Sequence, residues 1–304
     1  MKNSEIYQDI FNKLEKYKES VNLPGISKPS IESNFIRQFI DSYKRIKYIE
    51  VLKSRPIDTR RKNPNSDLYD PIQASILHLN DKDINEAVWN ILLYVHFGKT
   101  YRNGYGLLKA VYGNLGNPQI WSMENFKNDI LGFRDWLDGN QQQIKNLGGF
   151  GNHRKYQSIR ANAKSTTYQT LESFLTLINN DFDVFISSIP ITIKSDKYKF
   201  FDYLFKYFHD IVGFARLAIF DFLCMIGKVG ILEIEPAHPY LGNSGPLTGA
   251  KLLFGNQKNI KELNLALKNL GDTCFMDYPF RMQILEDSIC NWQKKPNTYK
   301  LFNG

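Results

Sequence analysis

The chain has 304 residues, of which 42% are hydrophobic and 14% aromatic, and this composition indicates a globular protein and excludes a disordered one. It carries 39 Lys and Arg against 31 Asp and Glu, which gives a formal charge of +8. This charge favours an anionic partner such as nucleic acid; the alternative is that it only keeps the surface soluble. The three cysteines have no CxxC spacing, and neither a signal peptide nor a membrane-spanning run is evident. We therefore expect a cytoplasmic protein with no metal, cofactor or membrane segment.

Residues 1–54 are predicted to form an N-terminal helical arm of two amphipathic helices, joined at Pro24 and Gly25, ahead of a helical domain at 55–304. The second helix is predicted to begin near Ser30. The arm could be a lid or a dimerisation element, and the sequence leaves the oligomeric state open. The run 55–67, rich in Pro, Asn and Arg, is predicted to be a loop.

Helix then follows helix, so the sequence predicts an all-α fold. Asp70 precedes Pro71, which is typical of an N-cap followed by proline in the first turn. A further helix is predicted from Asp83 to about Gly98. Near its end we predict that His96 contacts substrate, and that two DNA contacts follow at Lys99 and Arg102; a histidine in the core is the alternative.

A glycine-rich stretch at 147–160 has Gly148, Gly149 and Gly151, which free the backbone for close approach to a ligand. The spacing matches neither GxGxxG nor a P-loop. Basic and polar residues follow, with Tyr156 beside them as a base-stacking candidate, so the stretch suits a nucleic-acid backbone, and a basic turn is the alternative. The predicted DNA contacts here are Asn152, His153, Arg154 and Lys155.

The run 200–230 is apolar on every face and lacks proline, so it is predicted to be one long buried helix. It carries Arg216, Asp221 and Lys228, and the last two share a face because they are seven residues apart. A buried ion costs several kcal/mol unless it is paired. The carboxylate therefore either forms an internal salt bridge or faces a pocket as a functional acid.

Two later stretches add candidates. The turn at 242–245 opens into an apolar helix, so we predict that Gly245, Thr248 and Lys251 hold a phosphate. This segment loosely resembles the hairpin of helix-hairpin-helix DNA glycosylases, although a leucine occupies the slot of the lyase lysine. On the last helix, predicted from about 279 to 294, Asp287 and Asn291 lie beside the core stripe, either solvated or lining a cleft.

Several runs in one order resemble the clade-three alpha-glutamyl/putrescinyl thymine pyrophosphorylase family. They are HFGK at 96–99, FGNHRKY at 150–156, FDFLCMIGKVG at 220–230, IEP at 234–236, GPLTGAKLLFG at 245–255 and MQILEDSICNWQK at 282–294. The resemblance implies an all-α fold related to helix-hairpin-helix DNA glycosylases, a place in anti-phage defence, and double-stranded DNA with hypermodified bases as partner.

The resemblance leaves three functions open. The favoured one is a monofunctional DNA glycosylase, a hydrolase that flips out a modified base such as glucosylated hydroxymethylcytosine and leaves an abasic site. From their burial we predict Asp221, Asp287 and Lys228 as catalytic, with Arg216, Asn291, His96 and Tyr156 binding substrate. The alternatives are a transferase that attaches an amine or amino acid to an activated hydroxymethyl-pyrimidine, and a DNA-binding protein without chemistry.

Overall fold

A computed structural model describes residues 3–160, 163, 166–242 and 245–302. These residues contain sixteen α-helices and no β-strand, which confirms the predicted all-α class. The helices are α1 Asn3–Lys18, α2 Pro29–Lys53, α3 Pro71–Asn80, α4 Ile84–Phe97, α5 Gly106–Tyr112, α6 Met123–Asn128, α7 Ile130–Gly139, α8 Gln141–Leu147, α9 Thr167–Leu177, α10 Phe182–Ser188, α11 Ile191–Lys194, α12 Lys197–Tyr207, α13 Arg216–Val229, α14 Gly245–Phe254, α15 Ile260–Cys274 and α16 Arg281–Trp292. Over the same ranges no helix combines the length and the apolar character needed to cross a bilayer.

The chain divides into two compact units. The terminal unit is formed by the described residues of Met1–Val51 and Glu235–Asn303, and the central unit by those of Leu52–Ile234. The division into an arm at 1–54 and a domain at 55–304 stays a prediction.

The terminal unit is built on a core of α1, α2 and α14 to α16. Phe39 of α2 packs on Phe275 with ring centroids 4.3 Å apart and on Tyr278 at 5.3 Å. Helices α14 and α16 approach so closely that a Cβ atom at Gly249 would lie 2.3 Å from the carbonyl oxygen of Ile289. A glycine at position 249 is therefore a packing requirement of this unit.

Helix caps of the central unit follow the sequence signals. The carboxylate of Asp70 accepts hydrogen bonds from the backbone N–H groups of Ile72 at 3.1 Å and Gln73 at 3.0 Å, and Pro71 is the first helical residue. Asp83 caps α4, and Gly98, with φ 68°, directly follows the last residue of the helix. The predicted starts of α3 and α4 are confirmed.

The prediction of one helix over 200–230 is wrong. The stretch forms α12, a 3₁₀ turn at Phe208–Asp210, and α13. Between the two helices the chain reverses through Gly213, whose φ of 78° favours glycine. The break brings Phe208 of the 3₁₀ turn to 5.7 Å from Phe222 of α13, ring centre to ring centre, so aromatic packing of the turn on α13 outweighs continuation of the helix.

Candidate functional site

The central unit contains a buried arginine that holds a carboxylate. The 3₁₀ turn Asn152–Arg154 directs the guanidinium of Arg154 inward, leaving the residue only 7% exposed. Its Nε donates to the carbonyl oxygen of Val95 at 2.8 Å and one terminal nitrogen donates to that of His153 at 3.1 Å. The other terminal nitrogen lies 3.0 Å from Oδ2 of Asp221. Because Val95 is in the last turn of α4, this arginine also satisfies a carbonyl at a helix end.

Asp221 lies at the edge of this buried region. Its neighbours on α13, Phe220 and Phe222, are fully buried and fix the helix. The Asp221 side chain keeps 35% of its surface exposed, while that of its partner Arg154 keeps 7%. The carboxylate therefore has a buried cation on one side and solvent on the other, which is an arrangement that a ligand can reach.

Two of the three glycines in the glycine-rich stretch are explained by packing. The N–H of Gly151 donates to the carbonyl oxygen of Phe97 at 2.8 Å, and a Cβ at Gly151 would lie 3.2 Å from Cα of Gly98. A Cβ at Gly148 would lie 2.5 Å from the backbone nitrogen of Leu107. At Gly149, by contrast, a Cβ would meet no described atom within 4 Å. These contacts press the segment that carries Arg154 against the end of α4.

His96, in the last turn of α4, is fully buried, and its ring centre lies 5.6 Å from that of Phe150 in the glycine-rich stretch. Its Nε2 is 3.0 Å from the hydroxyl of Thr167, which itself donates to the carbonyl oxygen of Ser158 at 3.3 Å. The hydroxyl proton is thus used, so Nε2 must carry the proton of a neutral ring. Burial, together with the nearby charge of Arg154, lowers the pKa of His96 to about 3. A direct contact between His96 and substrate stays a prediction, and it would require the site to open.

Exposed basic and polar side chains lie next to Arg154 in the sequence and directly after α4. Lys155 and Tyr156 are exposed, and Nζ of Lys155 lies 5.1 Å from the centre of the Tyr156 ring, a cation–π distance. The other exposed candidates are Lys99, Arg102, Asn152 and His153. Their contact with DNA stays a prediction.

Two further candidates lie on α13 with Asp221. Arg216 is the first residue of that helix and is partly buried. Lys228 is also partly buried, and its carbonyl oxygen accepts a hydrogen bond from Nζ of Lys53 at 3.2 Å.

The remaining candidates belong to the terminal unit. The Asp287 side chain is 36% exposed and lies 3.5 Å from Arg45. The side-chain oxygen of Asn291 accepts from Nζ of Lys294 at 3.1 Å. On α14, Thr248 is exposed, Lys251 is partly buried, and a Cβ at Gly245 would lie 3.0 Å from Sγ of Cys290. The predicted glycine turn includes Asn243 and Ser244, which lie outside the described residues.

A charged cluster in the terminal unit was missed by the sequence analysis. Arg281, 4% exposed, donates to Oδ1 of Asp272 from two nitrogens, at 2.6 and 3.0 Å, and to Oε1 of Glu235 from a third, at 3.3 Å. The backbone N–H of Phe280 also donates to Glu235, at 3.0 Å. The available signal was an arginine opening an apolar helix, with a glutamate inside the IEP run.

A buried glutamate of the central unit was also missed. Glu86, 7% exposed, accepts from the hydroxyl of Tyr112 at 2.6 Å and from the backbone N–H of Met123 at 2.9 Å. Burial raises its pKa to about 7. It lies at the wall of a 660 Å³ cleft between the 59–64 loop and the start of α6. Among the described residues, no three His, Cys, Asp or Glu side chains are placed to hold a metal ion.

The described residues form an all-helical protein in which a buried arginine holds a partly exposed carboxylate, and exposed basic residues follow that arginine and helix α4 in the chain. The chain belongs to the family described as alpha-glutamyl/putrescinyl thymine pyrophosphorylase clade 3, whose model matches residues 31–304. This membership confirms the resemblance seen in the sequence and connects the protein with the chemistry of modified thymine. No curated protein and no solved structure matches the chain.

Proposed function

We propose that the protein is a monofunctional DNA glycosylase that excises a hypermodified base from phage DNA in anti-phage defence. The observation that carries this proposal is the Arg154–Asp221 pair, a reachable carboxylate held at 3.0 Å by a buried guanidinium. The relation to helix-hairpin-helix glycosylases, implied by the sequence resemblance, supports the same reaction class.

The chemistry assigned to Asp221 is electrostatic stabilisation together with proton acceptance. When the bond between the base and C1′ of the sugar breaks, the bonding electrons leave with the base and the sugar becomes cationic. A carboxylate beside C1′ stabilises that charge. Water then bonds to C1′, and the proton that it loses passes to the carboxylate, while the departing base takes a proton from solvent. The products are an abasic site and the free base.

Arg154 is better suited to position Asp221 than to bind a phosphate. Its guanidinium already donates to the Val95 and His153 carbonyls and to Asp221, and the residue is 7% exposed. The ring of His96 is fully buried near Arg154, and because burial and that charge lower its pKa to about 3, it adds no second positive charge beside Arg154. We therefore assign Arg154 and His96 to the support of Asp221.

The residues proposed to contact DNA phosphates are chosen first among exposed cations. Lys99, Arg102 and Lys155 are exposed cations suited to phosphates, and a protein that neutralises phosphates releases counterions from DNA. The other proposed DNA contacts are Asn152, His153, Gly245, Thr248 and Lys251. In the central unit Tyr156 and Arg216 are proposed to contact substrate and Lys228 to be catalytic. In the terminal unit the same two roles stay proposals for Asn291 and Asp287, respectively.

The test is to incubate the purified protein with phage DNA carrying glucosylated hydroxymethylcytosine and with an unmodified control. Excision releases the free modified base and leaves abasic sites in the modified DNA alone. Intact modified DNA after prolonged incubation with excess protein would contradict the proposal.

A transferase is the second candidate, because the family description names a pyrophosphorylase. An amine would then displace pyrophosphate from an activated hydroxymethyl-pyrimidine in DNA. The same incubation, supplied with activated DNA and an amine, distinguishes the two: a transferase increases the mass of the base and leaves no abasic site. Binding without either product would indicate a DNA-binding protein without chemistry.

A further inference from the structure

A short closed loop after α4 exposes one aromatic side chain completely. The backbone N–H of Thr100 donates to the carbonyl oxygen of Gly104 at 2.9 Å, and the reverse bond measures 3.0 Å. The N–H of Asn103 donates to the Thr100 hydroxyl at 3.2 Å. Tyr101 lies at the tip of this loop and is 99% exposed. The loop is therefore fixed internally while its tyrosine ring has no packing role in the described structure.

Both ends of the loop are anchored to the segment that leads to Arg154. The side-chain amide of Asn103 donates to the carbonyl oxygen of Leu147 at 3.1 Å. At the far end, Gly106 lies so close to the same carbonyl that a Cβ would be 2.2 Å from its oxygen. At the near end, Gly98 lies against Gly151. Tyr101 is thus held in a fixed relation to the Arg154–Asp221 pair.

The chemistry around Tyr101 points to a nucleic acid. Lys99 and Arg102 are both exposed beside it and are suited to phosphates. A base that stacks on an aromatic ring gains about 1–3 kcal/mol, and stacking is tolerant of sequence because every base has a π-face. A loop that is already ordered loses little conformational entropy when it binds.

We propose that Tyr101 enters the DNA duplex and stacks in the space that the extruded base leaves, while Lys99 and Arg102 hold the flanking phosphates. The partner is double-stranded DNA at the site of extrusion, and the assignment rests on the proposed glycosylase function. Side chains inserted between base steps are a known way to offset the cost of unstacking. Tyr101 is then a positioning residue for the flipped state and takes no part in bond breaking.

Two duplexes test this role. One has glucosylated hydroxymethylcytosine opposite guanine, and the other has the same base in an unpaired bubble, where extrusion costs less. We expect Tyr101→Ala to lower excision from the paired duplex about 10-fold, the factor that corresponds to about 1.4 kcal/mol of stacking. Excision from the bubble should change less than about 2-fold. Tyr101→Phe should keep wild-type rates, as should the control Tyr48→Ala, which alters another exposed tyrosine.

Equal losses on the two duplexes, or no loss on either, would overturn the assignment. A second readout is independent of bond breaking: 2-aminopurine placed at the target position fluoresces more strongly when it leaves the stack. The rise should occur on binding of the wild-type protein and be absent with Tyr101→Ala. If the wild type releases no base but still produces this rise, the glycosylase proposal fails and the Tyr101 assignment stands. Equal signals from both proteins would overturn it.

Discussion

Two buried arginines, one in each unit, hold carboxylates in different surroundings. Arg281 of the terminal unit meets Glu235, whose side chain is 8% exposed, and Asp272, which is 33% exposed and also pairs with Lys268. Arg154 of the central unit meets Asp221, whose side chain is 35% exposed. A carboxylate enclosed with its cation can only support the fold, whereas one at the edge of solvent can also meet a ligand. We therefore propose Asp221 as the functional acid and interpret the enclosed Arg281–Glu235 pair as structural.

Replacing Arg281 with Met should break the structural cluster. The change leaves Glu235 buried without this partner, and removal of one member of a buried pair costs about 3–5 kcal/mol. Denaturant unfolding measures the loss, and the double variant Arg281→Met with Glu235→Gln should recover part of it. A loss below about 1 kcal/mol would show that the cluster does not lock the terminal unit.

Glu86 is another buried carboxylate, and it differs from those held by arginines because its hydrogen-bond donors, the Tyr112 hydroxyl and the Met123 N–H, are uncharged. Its pKa is raised from 4.5 to about 7, so between these values the folded state binds more protons than the unfolded state. Stability therefore falls as pH rises through this window, by about 3 kcal/mol in all. In Glu86→Gln this fall should be absent. At alkaline pH the free energy of unfolding of the variant should therefore be higher relative to the wild type than it is at acid pH.

Unfolding measured from about pH 5 to pH 8 gives that slope. The exposed acid Glu19 provides the matched control, since Glu19→Gln should retain the wild-type fall. Parallel curves for the wild type and Glu86→Gln would refute the assignment of the fall to Glu86.

Local signals predicted the helices better than they predicted the site. The caps at Asp70 and Asp83, and the buried stripe of α16, depend on neighbouring residues and are confirmed. The continuous helix over 200–230 was wrong because packing between distant aromatic rings decides that break. Likewise Arg154 and Asp221 were singled out separately, but their pairing joins residues 67 positions apart, and no local pattern encodes it.

Gly98→Ala tests the backbone contact that supports the Arg154 segment. Gly98 has φ 68°, and a Cβ there would lie 3.1 Å from Cα of Gly151. Strain of this kind costs about 1–3 kcal/mol. Thermal unfolding should show the loss, while Gly149→Ala, where a Cβ meets no described atom within 4 Å, should be close to neutral. Equal effects of the two substitutions would argue against a specific close approach.

Lys155→Ala should have the smallest energetic effect and tests the proposed phosphate contact of the exposed lysine that follows Arg154 in the chain. Loss of one phosphate contact weakens binding to DNA of any sequence and reduces the slope of log affinity against log salt by about 1. Titrations at several salt concentrations measure the slope. Lys206→Ala, which removes an exposed lysine paired with Asp202, is the control. An unchanged slope for Lys155→Ala would return that segment to the status of a basic turn.

The most direct measurement is single-turnover release of glucosylated hydroxymethylcytosine by Asp221→Asn, compared with Asp272→Asn from the Arg281 cluster. Asp221→Asn should lower the rate at least about 100-fold, the cost of removing one transition-state charge contact. Because the substitution leaves the buried guanidinium of Arg154 without this charged partner, the rates are compared at a temperature where both proteins are folded. Asp272→Asn also removes a carboxylate, 33% exposed, from a buried arginine, and it should keep the wild-type rate. An Asp221→Asn protein that releases base within about threefold of the wild-type rate would contradict the account.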